Sequence, residues 1–165
     1  MIILYLTAII TANLLTAHFG PSMSIINAFL FIGLDLTARD HLHETWRRQG
    51  LVWKMALLIA TGSALSYVLN RNAGPIALAS FVAFTGAGLA DALTYHALGD
   101  RVRLVKINGS NVVSAAVDSI LFPALAFGFP LLWPVMLGQF AAKTLGGAAW
   151  SLVLVSAPRL LRRAG

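Results

Sequence analysis

Long apolar runs separated by short polar breaks dominate the chain. A helix needs about 20 apolar residues to cross the roughly 30 Å hydrocarbon core of a bilayer, and six runs approach that length. They lie near residues 2–18, 24–38, 51–69, 76–97, 109–129 and 131–156. The breaks, such as Gly20-Pro21 and Asn70–Pro75, contain residues typical of turns. We therefore predict an all-α, polytopic membrane protein with six transmembrane helices in a single domain, residues 1–165.

The composition narrows the function classes. Hydrophobic residues make up 58% of the chain and charged residues 11%, and the mean hydropathy is +0.79. A soluble protein of this size cannot bury so much apolar surface, which excludes a disordered chain, a nucleic-acid-binding domain and nearly every soluble enzyme. Cysteine is absent, so disulfides and thiolate metal sites are excluded as well.

The basic residues predict the orientation of the spans. Nine of the twelve Lys and Arg residues fall on one side of the predicted membrane. These nine are Arg47, Arg48, Lys54, Arg101, Arg103, Lys106, Arg159, Arg162 and Arg163. Only Arg71 falls on the other side, and Arg39 and Lys143 lie within or at the edge of spans. Because cytoplasmic loops carry the excess of positive charge, both termini are predicted to be cytoplasmic, which agrees with an even number of spans.

Four polar residues fall near the predicted bilayer midplane: Asn13, Asp35, Asp118 and Lys143. Ionisable groups are costly inside a membrane, so each one suggests a function. One interpretation is structural, with Asp118 neutralising Lys143 and Asp35 neutralising Arg39. The other is a polar cavity at the midplane, where transporters bind substrate. Polar groups from four helices exceed what structure requires, and this favours the cavity.

Helical spacing adds neighbours to these groups. Gln139 lies one turn from Lys143, and Asn111 and Ser114 share a face with Asp118. Asn27, Phe31 and Asp35 share a face of span two in the same way.

Catalytic and metal-binding patterns are absent. His41 and His43 are two residues apart, so on a helix they point away from each other, and no metal site is predicted. The sequence contains neither a Gly-x-Ser-x-Gly element nor a P-loop. The chain is therefore not predicted to be an enzyme, and no cofactor is expected.

Two stretches carry a family resemblance. The first is Asn27–Asp40, followed by Leu42-His43-Glu44. The second is more specific: an Asn-x-x-Ser-x-x-x-Asp-Ser series from Asn111 that ends at Phe122. Both resemble motifs of the vitamin uptake transporter family, in spans two and five, and the resemblance implies a short version of that family. Known members of that family carry queuosine precursors, 7-cyano-7-deazaguanine or related 7-deazapurines, across the bacterial inner membrane.

The resemblance implies a multi-pass inner-membrane importer with a 7-deazapurine as its small-molecule partner. The expected partners besides the substrate are the lipids of the bilayer, and no nucleic acid is expected to bind. A homodimer is compatible with the sequence. A carboxylate can accept the ring N1–H and the exocyclic amine together, while amides read the neighbouring carbonyl and aromatic rings stack on the heterocycle. The candidate substrate-binding residues are Asn13, Asn27, Phe31, Asp35, Asn111, Ser114, Asp118, Phe122, Gln139 and Lys143.

Two alternatives stay open. One is a substrate-binding membrane subunit that needs a separate energising module. An Ala-x-x-x-Ala face is how small six-span subunits of that kind dock, and Ala8 and Ala12 form one on span one. The other is a structural membrane protein that transports nothing.

Overall fold

The computed structural model describes residues 2–31 and 51–161, and every element in them is helical. The helices are α1 (Ile2–Phe19), α2 (Pro21–Phe31), α3 (Leu51–Leu69), α4 (Gly74–Ala97), α5 (Arg103–Phe127) and α6 (Trp133–Leu161). A single 3-10 turn, Arg71–Ala73, connects α3 to α4. Of these helices α1, the segment Arg71–Ala97 and the segment Gly109–Phe127 are long and apolar enough to cross a membrane, whereas Pro21–Phe31 and Trp53–Leu69 are shorter apolar helices.

Three short turns join the helices in pairs. Gly20 separates α1 from α2 with φ +84°, a left-handed conformation that costs glycine nothing and other residues much. Asn70 opens the 3-10 turn, where its side chain accepts a hydrogen bond from the Asn72 N–H at 3.0 Å. Gly128 ends α5 with φ +72° before α6 begins at Trp133. In the described residues, α1 and α2, α3 and α4, and α5 and α6 thus follow one another with only a short turn between them.

The distribution of side chains is the reverse of that in a soluble protein. The buried positions are rich in small and polar residues, such as Ala83, Ser66 and Gln139. Large aliphatic side chains such as Leu78 and Leu93 are exposed. In a membrane the lipid accepts large apolar side chains, and small residues let helix backbones approach closely. This arrangement supports the membrane assignment independently of the length of the helices.

An apolar cluster holds α1 and α3 together. It consists of Tyr5, Ile9, Leu58 and Ile59, and Phe81 and Phe84 of α4 are among the side chains that pack against it. The most extensive helix contact in the described chain is between α4 and α5. There the absence of a side chain at Gly86 gives Leu121 room, since a Cβ at Gly86 would lie 2.7 Å from Leu121 Cδ1.

The helix bounds differ from the predicted spans mainly at polar ends. Helix α5 begins at Arg103, six residues before the apolar run, because a helix can extend beyond the hydrocarbon where its backbone is satisfied internally. Helix α2 begins at Pro21, since proline suits the first turn of a helix. Residues 32–38 of the second predicted span lie outside the described residues.

Candidate functional site

A network of charged and polar side chains connects α2, α5 and α6. At its centre Lys143 Nζ forms an ion pair with Asp118 Oδ2, and both side chains are largely buried. The same ammonium donates to Gln139 Oε1 at 3.2 Å and to Ser119 Oγ at 3.4 Å. The pairing of Asp118 with Lys143, which the structural interpretation of these residues predicts, is present, and the midplane cavity that the sequence favoured stays a prediction.

Gln139 carries this network to a third helix. Its Nε2 donates to Ser24 Oγ of α2 at 2.8 Å, and Ser24 in turn donates to the carbonyl of Pro21. Gln139 is 2% exposed, so both ends of its amide are used inside the protein. We call Ser24, Asp118, Ser119, Gln139 and Lys143 the charged network.

The ion pair lies near the middle of its hairpin. Asp118 is nine residues from the end of α5 at Phe127, or about 14 Å by helical rise. Lys143 is ten residues from the start of α6 at Trp133, or about 15 Å. Half of a bilayer core is about 15 Å, so the pair would lie close to the midplane of a membrane that α5 and α6 span.

Pro123 interrupts the hydrogen bonding of α5 beside the ion pair. Proline has no N–H, so Pro123 cannot donate to the carbonyl of Ser119 one turn earlier. The Ser119 side chain already accepts from Lys143. Residues 118 and 119 therefore combine a carboxylate, a hydroxyl and a backbone carbonyl without its usual helical donor.

Neutral amides and hydroxyls connect α1, α2 and α3. Asn13 Nδ2 donates to Ser66 Oγ at 3.2 Å, and Asn27 Nδ2 donates to Thr16 Oγ1 and to the Ala12 carbonyl, each at 3.0 Å. We call Asn13, Thr16, Asn27 and Ser66 the amide contacts. The Oδ1 atom of Asn27 is buried and has no hydrogen-bond partner in the described part of the chain, which leaves one acceptor available inside the bundle.

The remaining candidate residues are placed differently. Ser114 is buried on α5, whereas Asn111 is exposed one turn earlier. Phe122 is partly buried and packs edge-to-face on Phe127, and Phe31 is partly buried at the end of the described part of α2. Asp35, with Arg39, His41 and His43, lies outside the described residues. The structure thus joins Asp118, Gln139 and Lys143 directly and keeps Asn13 and Asn27 in separate contacts.

Ser24, Ser66 and Ser119 belong to these networks but are absent from the candidate set. A serine in a helix commonly bonds a carbonyl of its own helix, so a serine alone does not signal a contact between helices. The spacing of Ser24 and Asn27, three residues apart on one face of α2, is the sequence signal that could have identified Ser24.

Asp91 of α4 is a further polar side chain inside the described bundle. Its Oδ1 atom is buried and forms no hydrogen bond within the described residues. It lies about 9 Å from the end of α4 at Ala97.

Two grooves open on the surface of the described residues, and neither is lined by a candidate residue. One, of about 530 Å³, lies between α3 and α4 and includes Ser63, Tyr67 and Arg71 in its lining. The other, of about 420 Å³, lies between α2 and α6, and its lining, from Ile25 to Leu145, is apolar. In the part of the chain that is described, no group of three or more His, Cys, Asp or Glu side chains could hold a metal ion.

The apolar helices and their buried polar interior define a helical membrane protein. The model of the vitamin uptake transporter family matches residues 2–156. The chain belongs to that family, and the resemblance seen in its two motifs is confirmed. No curated protein and no solved structure matches the chain. The family consists of transporters of vitamin-like substrates.

Proposed function

We propose that the protein imports a queuosine precursor, 7-cyano-7-deazaguanine or a related 7-deazapurine, across the bacterial inner membrane. The observation that carries this proposal is the ion pair of Asp118 with Lys143. Asp118 belongs to the α5 motif that resembles queuosine-precursor transporters, and the pair is joined to a buried glutamine at mid-helix. Placing two ionisable residues at that depth of a membrane costs free energy, and residues of this kind are typical of a substrate path.

The chemistry of the network suits a guanine-like ring. Gln139 Nε2 has a second hydrogen beyond the one donated to Ser24, and this hydrogen or the amide of Asn111, which lies outside the network on α5, is proposed to donate to the ring carbonyl. A carboxylate accepts the N1–H and the exocyclic amine as a pair. Lys143 already occupies Asp118 Oδ2. Asp35 is therefore the better candidate for the carboxylate that accepts the two ring donors, and Phe122 is an aromatic neighbour on α5 one turn beyond Asp118.

The direct test is binding of 7-cyano-7-deazaguanine to purified protein. We expect Asp35→Asn to weaken binding by roughly one to two decades, because an amide nitrogen would face a ring donor and a charge-assisted hydrogen bond is lost. Asp100→Asn is the matched control, since Asp100 is exposed in the turn between α4 and α5. Unchanged affinity in a well-folded Asp35→Asn variant would contradict the assignment of Asp35 and leave Asp118 in its place.

Uptake is tested in cells that lack both precursor synthesis and their own transporter. With 7-cyano-7-deazaguanine in the medium, this chain should restore queuosine in tRNA, and an empty vector should not. If a well-expressed chain fails to restore queuosine, the assignment of 7-cyano-7-deazaguanine as a substrate is wrong.

The proposed orientation has both termini in the cytoplasm. A reporter that is active only outside the membrane should be active when fused after Asn72 and silent after Gly165. The reverse pattern would contradict the orientation.

The substrate-binding-subunit alternative has less support. Its docking face would use Ala8 and Ala12, but Ala8 is buried in the protein and the Ala12 carbonyl accepts a hydrogen bond from Asn27. The structural-protein alternative predicts that the charged pair can be removed as a pair without loss of function, and that the wild-type chain supports no uptake at all. Uptake by the wild-type chain, and its loss when Asp118→Asn and Lys143→Met are combined in a well-folded protein, would contradict that alternative.

A further inference from the structure

The groove between α3 and α4 has the dimensions of a site for one lipid chain. Its lining on α3 extends from Ala60 to Tyr67, about 11 Å by helical rise, and continues to Arg71 in the turn that follows the helix. That length covers most of one leaflet of a hydrocarbon core of about 30 Å. Small residues, including Ala64, Gly74 and Ala77, form part of the lining, and Leu78 and Phe81 add apolar walls. The trough is thus apolar, narrow and open along its side.

A cation lies at the helix-end mouth of this trough. Arg71 lines the groove, is exposed, and begins the turn that leads into α4. Among the described residues no carboxylate pairs with it. The N-terminal end of α4 begins three residues later, and its partial positive charge adds to that of the guanidinium. The mouth of the groove therefore favours an anion at the level where lipid headgroups lie.

From this juxtaposition we propose that the α3–α4 groove binds an anionic phospholipid, with the phosphate at Arg71 and one acyl chain in the trough. A guanidinium forms strong, paired hydrogen bonds with phosphate oxygens, whereas the apolar walls contribute to binding without regard to the headgroup. The groove between α2 and α6 provides an internal contrast, because the described residues that line it are apolar and include no cation. The site is independent of the charged network and of the proposed substrate.

The test uses detergent-purified full-length protein with dioleoyl phosphatidylglycerol or dioleoyl phosphatidylcholine, which differ in headgroup charge. Native mass spectrometry gives the affinity for each lipid, and a thermal melt gives the stabilisation. We expect phosphatidylglycerol to bind more tightly, and Arg71→Gln to weaken its binding about fivefold, the effect of one basic residue near anionic lipid. Arg101→Gln is the matched control, since Arg101 is an exposed cation in the α4–α5 turn.

Filling the trough tests the acyl-chain half of the site. Ala64→Leu is expected to weaken binding of both lipids, because the added side chain takes up space in the groove. Ala92→Leu adds the same side chain at an exposed position of α4 that does not line the groove and should have no effect. Ser63→Ala should also have no effect, although the Ser63 hydroxyl is buried without a hydrogen-bond partner in the described residues.

Four outcomes would overturn the proposal. Equal affinity of the wild-type protein for the two lipids, or unchanged phosphatidylglycerol binding in Arg71→Gln, would contradict a phosphate site at Arg71. Loss of binding in Ser63→Ala would indicate a polar ligand in place of an acyl chain. Dissociation of a dimer by Ala64→Leu, with lipid binding unchanged, would identify the groove as an interface between two copies of the chain.

Discussion

The amide contacts and the charged network both connect neighbouring helices through buried polar side chains, but they differ in charge. Between α1, α2 and α3, buried amides donate to hydroxyls and to a carbonyl, and every partner is neutral. Between α2, α5 and α6, the contacts centre on a full positive and a full negative charge. Hydrogen bonds between helices in a membrane contribute about 0.6 kcal/mol on average, whereas each inserted charge costs about 2.5–3.5 kcal/mol.

This comparison distinguishes contacts that hold helices together from charges that need another explanation. The first group of helices shows that neutral contacts and the apolar cluster are enough to hold spans together. Holding α5 against α6 therefore does not require a lysine and an aspartate. The extra cost of these charges is the reason why we propose that the charged network recognises the substrate.

The largest expected effect comes from breaking the ion pair on one side. Asp118→Asn should destabilise the protein by about 3–5 kcal/mol, because Lys143 then remains charged in a low-dielectric interior without its carboxylate. Adding Lys143→Met should recover much of the folded yield, measured by size-exclusion chromatography of fluorescent fusions. Asp100→Asn should leave the yield unchanged. If the double variant is as damaging as the sum of the two single variants, the residues are not coupled.

A smaller effect compares close helix contacts in the two regions. A Cβ at Gly62 would lie 2.9 Å from Ile9 Cγ2 and 3.2 Å from Ile9 Cβ, inside the apolar cluster. At Gly138 the clash of 2.6 Å is with Ile25 Cδ1, the end of a flexible side chain. We expect Gly62→Ala to cost about 1–3 kcal/mol and Gly138→Ala to cost less.

Thermal melts of the two alanine variants check this comparison. Gly88→Ala is the control, because nothing lies within 4 Å of its added Cβ, and it should melt at or slightly above the wild-type temperature. A larger loss for Gly138→Ala than for Gly62→Ala would mean that the α2–α6 contact is the more rigid one.

The smallest effect concerns a single amide contact. Ser66→Ala removes the acceptor of Asn13 Nδ2 and should lower stability by about 0.6–1.7 kcal/mol, from the average to the largest value measured for such bonds in membranes. Thr7→Val is the matched control, because the Thr7 hydroxyl bonds the Ile3 carbonyl of its own helix. Equal melting shifts for the two variants would show that the Asn13 contact adds nothing between helices.

Much of the helical layout follows from the sequence because a membrane permits few alternatives. An apolar run of sufficient length must form a helix, so the predicted bounds of α1 and α3 agree with the structure to within one residue. Polar ends are less constrained, which is why α5 begins earlier than its apolar run. The turns at Gly20-Pro21 and at Asn70–Pro75 were predicted from residues whose backbone preferences do not depend on the rest of the fold, and both are present.

The site was predictable in part. Matched depth on consecutive helices suggested the pairing of Asp118 with Lys143 as one of two interpretations, because two charges in a membrane have few other partners, and the pair is present in the structure. The contact of Gln139 with Ser24 was not predictable, since the separation of these residues along the chain is 115 and depends on how α2 and α6 pack. Helix rotation is also invisible in a single sequence, and Asn111 is exposed although it shares a spacing pattern with the buried Ser114.

The short α5–α6 turn has a consequence for biogenesis. Asp118 and Lys143 are 25 residues apart and meet within one helical hairpin. A hairpin that enters the bilayer as a unit presents these two charges to lipid as a neutral pair, which lowers the insertion cost that each would carry alone. The pair therefore needs no third helix to become neutral, and α5 and α6 can insert together.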